Sequence, residues 1–190
     1  MRVGLLGGSF NPAHAGHRHV AELAMKRLRL DQVWLLVSPG NPLKPVAGMA
    51  PFAVRLAGAA RIGDGRRVVA SGIEHAVGTR YTVDTIKILL RQFPNARFVW
   101  IMGADILEQL PRWRRWVEIV RRLPLVVLPR PRYNNQALAG QAAHRLRAVR
   151  QPAREAILLP GVAPGWVFLP VRQNAISATA IRQAAKGSVL

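Results

Sequence analysis

Short apolar runs that stop at glycine, proline or serine alternate along this chain with segments of helical periodicity. That alternation constrains the fold more than any other feature. Val3 to Leu6 ends at Gly7-Gly8, and Val33 to Val37 ends at Ser38-Pro39-Gly40. Arg67 to Ser71, Arg97 to Met102, Leu125 to Leu128 and Trp166 to Leu169 are further runs of this kind. Continuous apolar runs of this length predict strands covered on both faces, as in parallel sheets. Between them, Gly16 to Leu30 repeats apolar residues at helical spacing (Val20, Leu23, Ala24, Leu28). Phe52 to Ile62, Thr82 to Gln92, the stretch to Arg122 interrupted at Pro111, Leu138 to Val149 and Ser177 to Lys186 also read as helical. Strands alternating with helices predict βαβ units, hence an α/β fold with a doubly wound parallel sheet. Ligands in such sheets bind beyond the carboxyl ends of the strands, where the strand order reverses.

Composition narrows the class. With 190 residues, half of them apolar, the chain is expected to form one domain over 1–190 with its last helix at about 177–186. The absence of cysteine excludes disulfides, thiolate nucleophiles and Cys-ligated metals. No stretch approaches the ~20 apolar residues of a membrane span, and no leader pattern opens the chain, so a cytoplasmic location without membrane attachment is expected. The net charge of +19 points to a polyanionic partner. Of the 28 basic residues 24 are Arg, spread along the chain, which disfavours a basic tail. Arg enrichment beside much Ala, Gly and Pro also fits a GC-rich coding sequence, and both origins stay open.

The densest chemistry follows the first run: Gly7-Gly8-Ser9-Phe10-Asn11-Pro12-Ala13-His14-Ala15-Gly16-His17. The glycines admit close backbone approach to a ligand. His14 and His17, three apart, share one face at a helix start, where free N–H groups and the dipole attract anions. The pattern predicts a phosphate site that is neither a P-loop nor the dinucleotide fingerprint. A bare His-x-x-His is equally an incidental pair or part of a metal site, but zinc needs more ligands than lie nearby.

This stretch resembles the signature of the nucleotidyltransferase superfamily with a His-x-Gly-His motif. Further matches resemble the bacterial nicotinate-nucleotide adenylyltransferase family. They are Ser38 to Lys44, Gly78 to Thr85, Met102 to Asp105 followed by Leu110-Pro111-Arg112-Trp113, and Ile176 to Arg182. They keep the family's order and span residues 3–182. The resemblance implies a Rossmann-like nucleotidyltransferase fold. It also implies transfer of the adenylyl group of ATP to nicotinate mononucleotide, giving nicotinate adenine dinucleotide and pyrophosphate in NAD biosynthesis.

By that resemblance, His14, His17, Lys44 and Arg182 stabilise the reacting phosphates. Gly7, Gly8, Ser9, Phe10, Gly103, Asp105, Ser177 and Thr179 bind ATP, Asp105 taking the ribose hydroxyls. Tyr81, Thr82 and Trp113 form the acceptor pocket, Trp113 stacking on the pyridine ring. Mg²⁺ arrives on the ATP phosphates, with no protein metal site. ATP and nicotinate mononucleotide are the implied partners, nucleic acid is not expected, and a homo-oligomer stays open. Blander roles remain for some of these: helix capping for Asp105 and Ser177, core packing for Trp113, with Trp116 a competing aromatic.

The sequence departs from the family pattern at Asn11 (more often Asp), Ala178 (often Ser), Arg132 (usually Gly) and in the loop at Asn41 to Lys44. Ala178 removes one phosphate donor. Transfer to another phosphorylated acceptor, nicotinamide mononucleotide or phosphopantetheine, is the alternative. The Tyr81-Thr82 segment and the Leu-Pro-Arg-Trp run argue against phosphopantetheine. A basic nucleic-acid-binding protein on the same fold is a third reading, but no recognisable nucleic-acid-reading motif supports it.

Overall fold

The computed structural model describes residues 1–40 and 48–171. Strand β1 (Arg2–Gly8) leads into helix α1 (Ala15–Leu28), then β2 (Gln32–Val37), α2 (Phe52–Ile62) and β3 (Val68–Ser71). A short α3 (Ile73–Ala76) and α4 (Thr82–Gln92) follow, then β4 (Arg97–Gly103), α5 (Ala104–Gln109), α6 (Trp116–Arg122) and β5 (Leu125–Leu128). Helices α7 (Asn134–Ala139) and α8 (Gln141–Arg145), strand β6 (Arg150–Gln151) and strand β7 (Trp166–Phe168) complete the described chain.

The strands form one parallel sheet in the order β3-β2-β1-β4-β5-β7-β6. Successive strands run outward from β1 to β3, and the chain then returns to lay β4 against the other edge of β1. The order therefore reverses between β1 and β4, as the doubly wound expectation requires. Side chains of β4 show why the runs are continuously apolar. Phe98, Trp100 and Met102 pack with α4, α5 and α6 on one face, whereas Val99 and Ile101 pack with α1 and α2 on the other. Both faces being covered, every residue from Phe98 to Met102 is buried.

Helix ends explain where the sequence reading overruns. Arg29 takes a left-handed conformation (φ 50°), so α1 stops at Leu28 and not at Leu30, with Lys26 and Arg27 at its negative end. The helix expected over 138–149 is broken. Gly140 is extended (φ −76°, ψ 168°), ending α7 and starting α8. Two elements escape the periodicity argument altogether. Helix α3 has four residues and edge strand β6 has two, too few to display a period. The helix expected at 177–186 lies outside the described residues. Among the described residues no helix is long and apolar enough to cross a membrane.

β1 can sit between two close neighbours because its Gly7 has no side chain. A Cβ there would lie 2.8 Å from Cζ2 of the Trp100 indole, a rigid and buried ring. Gly7→Ala is therefore expected to cost about 1–3 kcal/mol by overpacking, read from the urea midpoint. Gly40→Ala, where a Cβ meets nothing within 4 Å, serves as the control and should move stability by less than about 0.5 kcal/mol.

Candidate active site

At the reversal point the loop after β1 faces the end of β4. That loop is pinned from below by Arg55 of α2, whose side chain is only 3% exposed. Its Nη1 donates to the carbonyls of Ser9 (2.8 Å) and Ser38 (2.7 Å), Nη2 to Pro39 (3.2 Å) and Nε to Ala50 (2.9 Å). Asn11 adds a second tie. Its Nδ2 donates to Gly48 O and its Oδ1 accepts from Ala50 N, so the residue that departs from the family pattern has a bridging role in this chain. Between these ties Phe10 adopts φ 48°, an unfavourable region for a bulky residue. Its ring is buried and lies 4.7 Å from the His17 imidazole, centroid to centroid.

His14 is the N-cap of α1, in extended conformation. Its Nδ1 accepts from Gly16 N (3.1 Å), while His17 Nδ1 accepts from His14 N (3.2 Å). This is the reciprocal arrangement of a capping box with imidazoles in place of hydroxyl and carboxylate. An Nδ1 that accepts a backbone N–H carries no proton, so each neutral ring holds its proton on Nε2 as a donor. The rings lie 3.9 Å apart, centroid to centroid. Burial, then the neighbouring His14, then Arg130 push the His17 pKa down to about 3. Burial and Arg130 also lower that of His14. Near neutral pH the pair thus presents two uncharged N–H donors at a helix N-terminus, where anions are favoured.

Beyond β4, Gly103 is the N-cap of α5, and Asp105 makes no capping bond. The helix-cap role left open for Asp105 is therefore not the one it plays here. Its Oδ1 is buried without a hydrogen-bond partner among the described residues, and Arg130 Nε stands 3.6 Å away. A Cβ on Gly103 would fall 2.3 Å from that oxygen, so only glycine leaves the carboxylate in place. Arg130, just past β5, thereby links the carboxylate to the two imidazoles whose pKa values it depresses.

The residues expected to form the acceptor pocket lie on the α4 flank. Tyr81 is the N-cap of α4, Thr82 its first residue, and no side chain caps that end. The Arg114 guanidinium lies 4.7 Å over the Tyr81 ring. The neighbouring Trp113 meets the Trp100 indole edge-on, with centroids 6.2 Å apart. Trp113 and Trp116 are both partly buried against the same core, so packing alone does not choose between them. Behind Tyr81, Thr85 donates to Glu74 Oε1 (3.1 Å), and its hydroxyl is 3.0 Å from that of Thr79. Burial raises the Glu74 pKa.

Gly7, Gly8, Ser9, Phe10, His14 and His17 thus occupy one side of the reversal point and Gly103 and Asp105 the other. Tyr81, Thr82 and Trp113 stand on the α4 side. Lys44, Ser177, Thr179 and Arg182 lie outside the described residues. Among the described residues no three His, Asp or Glu side chains converge as a metal site would require. Sequence reasoning missed Arg55, Arg114 and Arg130. Arg55 carried no signal of its own, since α2 holds two arginines, Arg55 and Arg61, and only the fold shows that Arg55 lies with Ala59 on the buried face.

The family description cytidylyltransferase-like matches residues 5–184. A Gluconobacter oxydans protein named "Probable nicotinate-nucleotide adenylyltransferase" is 58% identical over 184 residues, covering 96% of this chain and 94% of its own length. A Parvibaculum lavamentivorans protein of the same name is 52% identical, with coverages of 96% and 92%. Among solved structures, the Plasmodium falciparum nicotinic acid mononucleotide adenylyltransferase complexed with NaAD superposes with TM-score 0.71 at 15% identity. It spans 96% of this chain and 82% of its own, a likeness of fold. With its strand order, its paired imidazoles and relatives at this identity, the chain belongs to the nicotinate-nucleotide adenylyltransferase family.

Proposed function

We propose that this chain transfers the adenylyl group of ATP to nicotinate mononucleotide, releasing pyrophosphate, in the cytoplasm. The observation that carries the reading is the imidazole pair, held as neutral Nε2–H donors at the start of α1 and at the reversal point of the sheet. The acceptor phosphate is already an anion, so no protein nucleophile or general base is needed. Catalysis then consists of aligning two polyanions and stabilising charge on the leaving pyrophosphate. His14 and His17 donate to the phosphates from a partly buried site where such bonds are strong. The family pattern assigns Lys44, Arg182, Ser177 and Thr179 to the same phosphates. Asp105, its Oδ1 unsatisfied, is suited to accept the adenosine ribose hydroxyls in place of its loose contact with Arg130. Tyr81, Thr82 and Trp113 hold the pyridine ring, and the free N–H groups at the α4 start favour a carboxylate over an amide.

Mg²⁺ belongs to this scheme as part of the triphosphate substrate, neutralising its charge. Asp105, the carboxylate that follows β4, lies 3.6 Å from Arg130 Nε.

Purified protein given ATP, Mg²⁺ and either nicotinate or nicotinamide mononucleotide should release pyrophosphate, faster with the acid. Silence with both acceptors would sink the reading, and a preference for the amide would overturn the acceptor assignment. His17→Gln keeps an acceptor for the His14 N–H, as capping boxes do, but removes the imidazole. It should lower kcat about 100- to 1,000-fold with the circular dichroism spectrum unchanged.

The lowered pKa also has a thermodynamic consequence. His17 titrates at about 3 in the folded chain and at its ordinary 6.5 when unfolded. The unfolded state therefore takes up the proton first. Its contribution to stability is complete above pH 6.5 and is lost as pH falls toward 3. The urea midpoint of the wild type should fall between pH 7 and pH 5, and less steeply in His17→Gln.

A further inference from the structure

Arg55 is the one buried side chain with a permanent charge among the described residues. Burial of a cation is ordinarily matched by a carboxylate. Here the described hydrogen bonds of the guanidinium go to four backbone carbonyls and to no acidic side chain. The charge is thus solvated but not cancelled. The four carbonyls belong to the segments that leave β1 (Ser9), leave β2 (Ser38 and Pro39) and enter α2 (Ala50). One nitrogen, Nη1, bridges the first two of these segments.

The Ser9 carbonyl it holds is half of the peptide on which the Phe10 φ angle of 48° is set. That conformation is disfavoured for a bulky side chain and persists only when its surroundings hold it. The Phe10 ring in turn packs on His17. A continuous path therefore runs from the guanidinium through the Ser9 carbonyl and the Phe10 ring to the imidazole. Only a planar fork with several fixed donors reaches all four oxygens at once; an ammonium offers its donors from a single point.

We infer that Arg55 is a positioning residue for adenylyl transfer: it sets the Ser9–Phe10 peptide, and through it His17, and leaves an uncancelled positive charge behind the phosphate cradle. This rests on the phosphate-site reading of the imidazole pair. Arg55 touches no substrate and is not a catalytic residue in that sense.

The test compares wild type, Arg55→Ala and Arg55→Lys in the pyrophosphate assay, at a temperature where circular dichroism shows each folded. For Arg55→Ala, kcat should fall about 10- to 100-fold, on the scale of losses from a misplaced catalytic group. KM for the acceptor, bound on the α4 side, should change by less than about threefold. Guanidinium at tens of millimolar should restore part of the loss in Arg55→Ala. Urea, of the same shape but uncharged, should not. Arg55→Lys, the kinetic probe if the alanine variant does not fold, should keep most of the stability yet lose about 10-fold in kcat. The inference is overturned by a folded variant with wild-type kcat, by activity that merely tracks the folded fraction, or by equal rescue with urea. The wild-type control separates the two ideas. Without wild-type turnover the functional reading itself fails, whereas normal wild-type turnover beside unaffected variants removes only the role of Arg55.

Discussion

Everything at the site depends on β1 being hydrogen-bonded on both edges by parallel neighbours that the chain reaches in opposite directions. Because β2 and β4 both run alongside it, the loop after β1 is forced up and over the sheet at the point where the two halves part. A crevice must open there, since the crossovers leave toward opposite faces. The thinness of β1 is part of this constraint. Gly7 lets the Trp100 indole lie against the strand, and the same indole carries Trp113 on its edge. One absent Cβ thus connects the strand that leads to the histidine loop with Trp113 on the α4 side.

The imidazole pair resolves a conflict between folding and chemistry. The first turn of a helix has backbone N–H groups that need acceptors, whereas the phosphate site proposed here would need those groups and other donors directed at the ligand. His14 and His17 satisfy the helix with one nitrogen each and keep the other nitrogen, with its proton, for the crevice. Burial holds the rings neutral, so they act through directed hydrogen bonds and leave permanent positive charge to arginine and lysine. Serine or aspartate would cap the helix as well but would bring no second donor nitrogen.

Much of this is legible in the sequence because two-sided burial imposes continuous apolar runs. The strands at Val3, Val33, Arg97 and Leu125 and the helices at Phe52 and Thr82 announce themselves in that way. The loop with the two histidines is equally legible, since its glycines and spacing carry chemistry by themselves. What escapes is set by contacts between distant segments. Arg55 is one arginine among 24, and only the convergence of two loops on it makes it exceptional. Arg130 becomes visible only when β5 is laid beside β4. The break at Gly140 depends on backbone dihedrals that a helical pattern does not encode, and α3 and β6 are too short to have a pattern.

The carbonyl cage around Arg55 has a consequence for how such a chain can change over time. An ion pair ties a buried charge to a particular acidic residue, and the two can be replaced only together. Backbone oxygens are present whatever side chains their residues bear. As far as this cage is concerned, the side chains at Ser38, Pro39 and Ala50 are thus free to drift so long as the path of the chain is kept, and a surface poor in acid and crowded with arginine leaves the cage untouched. The loop geometry around the crevice is in this way uncoupled from the charge composition of the rest of the protein.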